Sequence, residues 1–238
     1  MELVQELVRD GRVYRIWREG GKYLLDLGRE KPVEVMIPEE IEDEKAIARL
    51  IDYLINGLSR RLLIYTASNK SLMRLAYHLI FLSGSTGSLY QYMTHIKRVL
   101  DYCGYKPDDF IKDYRGDVSD RQVVNFIKSL IARGNSHSTA KVCVAAFKTF
   151  LRVNGIEPKL DSLIVWPRMR PRYAPRAATK EEVRMMVNLA PTVRDRAIVL
   201  CLATSGLRIG TLLSLRLRHV DLKAIRERKY PVLITVPA

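Results

Sequence analysis

Three prolines spaced four residues apart constrain the fold of this chain of 238 residues more than any other feature: they are Pro167, Pro171 and Pro175. Proline inside a helix removes a backbone donor and clashes with the preceding turn, so residues 165–178 cannot form a regular helix. A stretch of this composition is extended and semi-rigid. We therefore expect a linker here, with folded parts on either side.

The linker is also strongly cationic. It contains no acidic residue and four arginines, which are Arg168, Arg170, Arg172 and Arg176. A guanidinium fork matches the geometry of phosphate oxygens. A tether that lies along a nucleic-acid backbone is the favoured interpretation, and a plain spacer is the alternative.

Residues 1–59 are predicted to form a small hairpin-helix module. Apolar residues on both sides of Gly20-Gly21 indicate a hairpin over residues 12–28. Pro38 then begins an acidic helix that reaches about Ser59, with apolar residues at helical spacing. Its role stays open between an oligomer or protein contact and a contact with DNA.

Residues 60–164 read as helices separated by polar turns. The predicted helices are 72–82, 89–102, one capped by Ser119 or Asp120 that ends at Ala132, and one capped by Ser138 or Thr139 that ends at Val153. This pattern predicts a helical domain of about 100 residues. After the linker, 179–238 begins with a capping box of Thr179 and Glu182, continues through helices 195–203 and 208–217, and reaches a predicted strand, Val232–Val236.

Positive charge is concentrated in the middle of the chain. The net charge is +14 overall, and it is −4 for residues 1–58, +12 for residues 59–178 and +6 for residues 179–238. A concentrated positive field favours a polyanion, most often nucleic acid. A basic protein that is merely soluble remains the alternative.

Several classes of protein are not expected. No apolar stretch is long enough to span a membrane, and the acidic N-terminus does not resemble a secretory signal, so we expect a cytoplasmic protein. The three cysteines are far apart and no His-x-x-x-His pair occurs, which excludes a disulfide scaffold and gives a metal site no support.

Two local patterns suggest contacts with phosphate. Lys141, Lys148 and Arg152 fall within about 20° of one line on the predicted fourth helix, although a solvated face would look the same. Arg208 follows the turn at Gly206 and starts a helix, where anions are favoured. We expect the neighbouring apolar residues to hold it in the core, and a surface arginine at a helix start is the alternative; these residues are Leu207, Ile209, Leu212, Leu213 and Leu215.

The run from Cys201 to Leu222 resembles the first arginine box of the tyrosine recombinases, the phage-integrase family of site-specific DNA recombinases. The usual pattern is T-G-L-R-I-S-E-L-L-x-L followed by D-I or D-L, and this chain departs from it at Ser205 and Thr211. The matching residues are Gly206, Leu207, Arg208, Ile209, Leu212, Leu213, Leu215, Asp221 and Leu222. Residues 89–102, 138–155 and 179–183 are also similar to parts of that family. With few thermolabile amides in the chain, an archaeal or archaeal-virus type is expected.

The resemblance implies a fold class and a division of the chain. The expected fold is mainly α: a helical core-binding (SAM-like) domain over residues 60–164, the basic linker over 165–178, and the N-terminal part of an α+β catalytic domain over 179–238. The hairpin-helix module of residues 1–59 precedes them.

The resemblance also implies an activity. Double-stranded DNA would be the partner, with self-association on it, and no metal or other cofactor. Arg208 would be the catalytic arginine, and the basic residues named above would bind DNA. The family's lysine, His-x-x-Arg and nucleophilic tyrosine are not matched after Arg208, where Tyr230 is the only tyrosine.

Three functions stay open: a piece of a recombinase that ends within the catalytic domain, a non-catalytic DNA-binding protein derived from one, and a basic RNA-binding helical protein. Because part of the usual cover of helix 195–203 would be missing, we expect the last segment to be mobile or prone to associate.

Overall fold

The computed structural model describes residues 1–28, 31–166, 176–230 and 232–236. The chain divides into two compact units, Met1–Met169 and Arg170–Ala238. The described part is mainly helical, as predicted, with one small antiparallel sheet in the first unit. The predicted boundary at residue 59 falls inside the first unit, and the core-binding and catalytic assignments remain predictions.

The first unit begins with a four-stranded antiparallel meander in the order β1-β2-β3-β4. Its strands are β1 (Glu2–Arg9), β2 (Arg12–Glu19), β3 (Lys22–Asp26) and β4 (Val33–Val35). The predicted hairpin is β2-β3, and both of its turn glycines, Gly20 and Gly21, have positive φ, which suits a tight hairpin turn. Sequence analysis missed β1 because its charged residues interrupt the alternation of a strand. A register shift interrupts the β1-β2 pairing between Leu3 and Gln5.

Eight α-helices follow among the described residues of the first unit. They are α1 (Glu44–Gly57), α2 (Arg60–Ala67), α3 (Lys70–Tyr77), α4 (Leu89–Cys103), α5 (Pro107–Lys112), α6 (Asp117–Ala132), α7 (His137–Val153) and α8 (Leu160–Leu163). A π-helical turn, His78–Leu82, continues α3. The backbone N–H of Met36, just after β4, donates to the carbonyl of Ala67 at 2.8 Å and so joins the end of the sheet to α2.

The predicted starts of three helices are corrected. The helix expected from Pro38 starts at Glu44, because Asp43 accepts a hydrogen bond from the N–H of Lys45 and caps it. Gly116, rather than Ser119 or Asp120, precedes α6, and Asp120 is fully buried instead. Ser136 caps α7 by accepting from the N–H of Thr139. Side chains that can cap are frequent in these turns, and tertiary contacts decide which one does so.

One continuous core joins the sheet to the helices of the first unit. It runs from Ile16 and Leu25 in the sheet, through Leu54 in α1, to the aromatic rings of Phe147 and Phe150 in α7. All five side chains are fully buried. Residues 1–59 therefore share their apolar interior with the helices that follow.

The described part of the second unit contains four α-helices and a 3-10 turn, Leu217–His219; the α-helices are α9 (Lys180–Leu189), α10 (Val193–Ser205), α11 (Ile209–Ser214) and α12 (Leu222–Arg226). The predicted capping box of Thr179 and Glu182 is confirmed. The predicted strand Val232–Val236 is wrong: the structure has one isolated bridge there, between Val220 and Ile234. Among the described residues of this unit, only Ala190 is buried.

Candidate nucleic-acid interface

The predicted cation row lies on α7, and its last member, Arg152, is in the last turn of the helix. Its three cations are not free. Arg152 donates from Nε and Nη2 to the carboxylate of Glu157, at 3.0 and 2.6 Å, and Lys148 is ion-paired with Asp161. The Lys141 ammonium stands 5.6 Å from the centre of the Trp166 ring, within the range of a cation–π contact.

Arg152 and Glu157 each stabilise the charged form of the other. The hydrogen bond to Glu157 raises the pKa of Arg152, and the same bond lowers the pKa of Glu157. Both groups therefore stay charged over a wide pH range. Because water and salt screen an exposed pair of this kind, it contributes little to the stability of the fold.

The linker arginines are only partly described. Arg168, Arg170 and Arg172 lie outside the residues that the structure describes. Arg176 is exposed and forms a two-pronged contact with Glu182, at 2.9 and 2.6 Å. That contact lowers the pKa of Glu182, and it ties the end of the linker to the first turn of α9.

Arg208 occupies the N-cap position of α11, directly after the turn. Gly206 has a left-handed backbone with φ 65° and ends α10 there, as predicted. The Arg208 side chain is exposed, and among the described residues it forms no hydrogen bond or ion pair. Its guanidinium is therefore accessible to an external phosphate.

The expected core around Arg208 is wrong. Ile209 is 52% exposed and Leu213 is 59% exposed, while Leu207, Leu212 and Leu215 are only half-buried. The local pattern correctly indicated a turn between helices. The local pattern could not predict burial, because burial depends on other chain segments that pack against these side chains. The described part of the second unit contains no such segments.

A polar stripe on α4 was missed by sequence analysis. Gln91, His95, Arg98 and Tyr102 recur every three or four residues and so share one face of the helix. Gln91 and Arg98 are exposed, and Arg98 has no ion-pair partner within the described ranges. Burial, and then the charge of Arg98, lower the pKa of His95, which keeps its ring neutral at pH 7. Glutamine, neutral histidine and arginine can all bond to base edges or phosphates.

In the described part of the first unit, one groove has arginines on its wall that are already paired with carboxylates. This groove of about 570 Å³ has Arg74 and Arg152 on its wall, and each of these arginines is bonded to a carboxylate, Glu40 and Glu157 respectively. In the described part of the chain no cluster of three or more His, Cys, Asp or Glu residues is arranged to hold a metal ion. Nor is any described helix long and apolar enough to cross a membrane.

The chain is similar to curated archaeal proteins called tyrosine recombinase XerA. It is 32% identical to that of Thermococcus kodakarensis over 112 residues, which are 46% of this chain and 39% of the relative. For the proteins of Thermococcus onnurineus and Pyrococcus furiosus the identities are 31% over 108 residues and 30% over 103 residues. The matches cover 38% and 35% of those relatives.

The chain therefore spans less than half the length of each of these curated relatives. No protein-family model matches the chain, and no solved structure is a significant match.

Proposed function

The chain is related by sequence to the archaeal tyrosine recombinases, and from this we propose that it binds duplex DNA in site-specific recombination. The observation that carries the proposal is this relationship, and the sequence match to the arginine box around Arg208 supports it. The excess of positive charge in residues 59–178 supports it, because each phosphate that a cation neutralises releases counterions.

Arg208 is proposed to stabilise charge on a phosphate of the DNA backbone. A guanidinium can hold two phosphate oxygens at once, and charge stabilisation at a reacting phosphorus is a major part of such catalysis. In the family that the sequence resembles, a tyrosine attacks the phosphorus, forms a covalent 3′-phosphotyrosyl link and displaces the 5′-oxygen, which an acid protonates. Of the groups involved, this chain matches only the arginine, so we propose that it binds DNA on its own without cutting it.

DNA contacts are proposed for two helices of the first unit and for the linker. On α4 the contacting residues would be Gln91, His95 and Arg98. On α7 and in the linker they would be the basic residues Lys141, Lys148, Arg152, Arg168, Arg170, Arg172 and Arg176. The helices could read bases, whereas the linker arginines would contact the backbone without reading sequence.

Measuring DNA affinity against salt tests the proposal. We expect the logarithm of the association constant to fall linearly with the logarithm of salt concentration, with a slope of about −0.9 per phosphate contact. A sixfold variant in which Lys141, Lys148, Arg152, Arg168, Arg170 and Arg172 become glutamine should bind more weakly and with a shallower slope. Unchanged binding would contradict the proposed contacts.

A matched variant controls for overall charge. Neutralising Arg9, Arg12, Arg15, Arg18, Lys22 and Lys45, all in the first 59 residues, removes the same charge from another part of the chain. The proposal requires a smaller loss of affinity for this control. RNA competitor should displace duplex DNA poorly, and efficient displacement would favour an RNA-binding protein instead.

The second candidate function is a non-catalytic DNA-binding protein derived from a recombinase. A nicked duplex that traps a covalent protein–DNA intermediate tests the absence of strand transfer, which both candidate functions require of this chain. We expect no adduct that survives denaturation of this chain. An adduct would show that the chain carries its own nucleophile, contrary to the proposal.

A further inference from the structure

The three cations of α7 are all contacted by one short stretch of chain, residues 157–166, which we call the cover segment. Glu157 binds Arg152, Asp161 binds Lys148, and Trp166 lies against Lys141. The carboxylates carry the same sign of charge as a phosphate and use the same hydrogen-bond donors. Two of the three cations that sequence analysis assigned to DNA are thus already paired with carboxylates of the protein's own chain, and the third lies against an aromatic ring.

The cover segment is fixed to the first unit at points separate from these contacts. The backbone N–H of Lys159 donates to the buried carboxylate of Asp120 at 2.8 Å, and the side chain of Leu160 is fully buried. Leu163, Ile164 and Trp166 pack against the core. The segment therefore does not depend on its ion pairs for its place in the fold.

We propose that the cover segment is an intramolecular competitor that occupies the α7 cations in place of DNA phosphates. The inference rests on the proposed DNA binding. Arg152 is half exposed and its pair is open to solvent, whereas the Lys148 side chain is only 18% exposed. Arg152 is therefore the first cation that an incoming phosphate can capture, and Lys148 needs a larger displacement of the segment.

The double variant Glu157→Gln, Asp161→Asn tests this competition. It preserves side-chain shape and removes both carboxylates, so Arg152 and Lys148 become available to DNA. We expect the affinity for duplex DNA to rise about tenfold at 0.15 M salt. The salt slope should become steeper by about 1.8, because each of the two released cations adds about 0.9.

The matched control is Glu6→Gln, Glu34→Gln. These carboxylates pair with Arg15 and Lys22 in the sheet, so the control changes net charge by the same amount away from α7. We expect it to leave the salt slope within error of the unsubstituted chain. Equal changes in slope for the two double variants would overturn the inference. If the unsubstituted chain shows no salt-dependent DNA binding, the proposed function itself fails.

A fluorescence measurement tests the inference without removing an ion pair. In a Trp17→Phe background, Trp166 is the only tryptophan, and its emission reports its contact with Lys141. We expect saturating duplex DNA to change this emission, and the change to disappear when Lys141→Gln is added. If duplex DNA leaves the Trp166 emission unchanged, the cover segment does not move away from Lys141, and the competitor role is rejected.

Discussion

At the scale of single residues, the structure gives Asp120 a different role from the one that the sequence predicted. It was a candidate helix cap, yet it is fully buried and accepts hydrogen bonds from the Tyr114 hydroxyl and the Lys159 backbone, both at 2.8 Å. Burial, and then the bond to Asp120, raise the pKa of Tyr114. Partners 6 and 39 residues away are set by tertiary packing, which no local pattern reveals.

We predict that Asp120→Ala destabilises the protein by about 1–3 kcal/mol, because two partly buried donors, the Tyr114 hydroxyl and the Lys159 backbone N–H, lose their acceptor. Asp120→Asn should cost less, since its amide oxygen still accepts from Lys159 and the tyrosine hydroxyl can rotate to accept from the amide nitrogen. Urea unfolding followed by circular dichroism measures both. Equal stability of the alanine variant and the unsubstituted chain would show that these bonds contribute nothing.

At the scale of elements, the helices with a clear apolar period were predicted well. The predicted ranges of α4 and α7 agree with the structure to within three residues, and the capping box that begins α9 needs only two residues three apart in sequence. The strand predicted at Val232–Val236 failed because a strand needs a partner ladder, and the described residues supply only one bridge.

The start of α3 depends on a residue from another element. Asn69 gives no side-chain cap. Instead Asp108, in the first turn of α5, accepts from the backbone N–H groups of Lys70 and Ser71 at 3.0 and 2.8 Å. One carboxylate thereby satisfies two unpaired amides of a helix terminus and lies where the helix dipole favours a negative charge.

Asp108→Ala should therefore lower the free energy of unfolding by about 1–2 kcal/mol. Its neighbour Asp109 is exposed and accepts no such bonds among the described residues, so Asp109→Ala is the matched control and should stay within about 0.5 kcal/mol of the unsubstituted chain. Thermal and urea unfolding measure the free energy of unfolding of both variants. An equal decrease in the two variants would refute the capping role of Asp108.

At the scale of the whole molecule, the two units differ in how much apolar surface they bury. The first has one continuous core. In the second, Leu189, Val193, Leu217 and Leu233 are each more than 70% exposed. The charge pattern and the arginine box could be predicted from the sequence, because both depend only on the order of the residues. The exposure around Arg208 could not, because it depends on which segments pack together.

Limited proteolysis should therefore cut the second unit first. Cleavage within residues 176–236 is expected at protease concentrations that leave the first unit intact, because little apolar burial opposes local opening there. Mass spectrometry of the products identifies the sites. A chain that resists cleavage throughout, or that is cut first within α4 or α7, would contradict the expected order of stability.

The two edge strands of the small sheet, β1 and β4, affect how this protein behaves at high concentration. β4 is three residues long and the amide just beyond it is taken by α2, while the pairing of β1 is interrupted near its start. Short or irregular outer strands are poor templates for another chain. Amyloid-like growth from this sheet is accordingly disfavoured, and aggregates of the protein should form through helices and not through stacked strands.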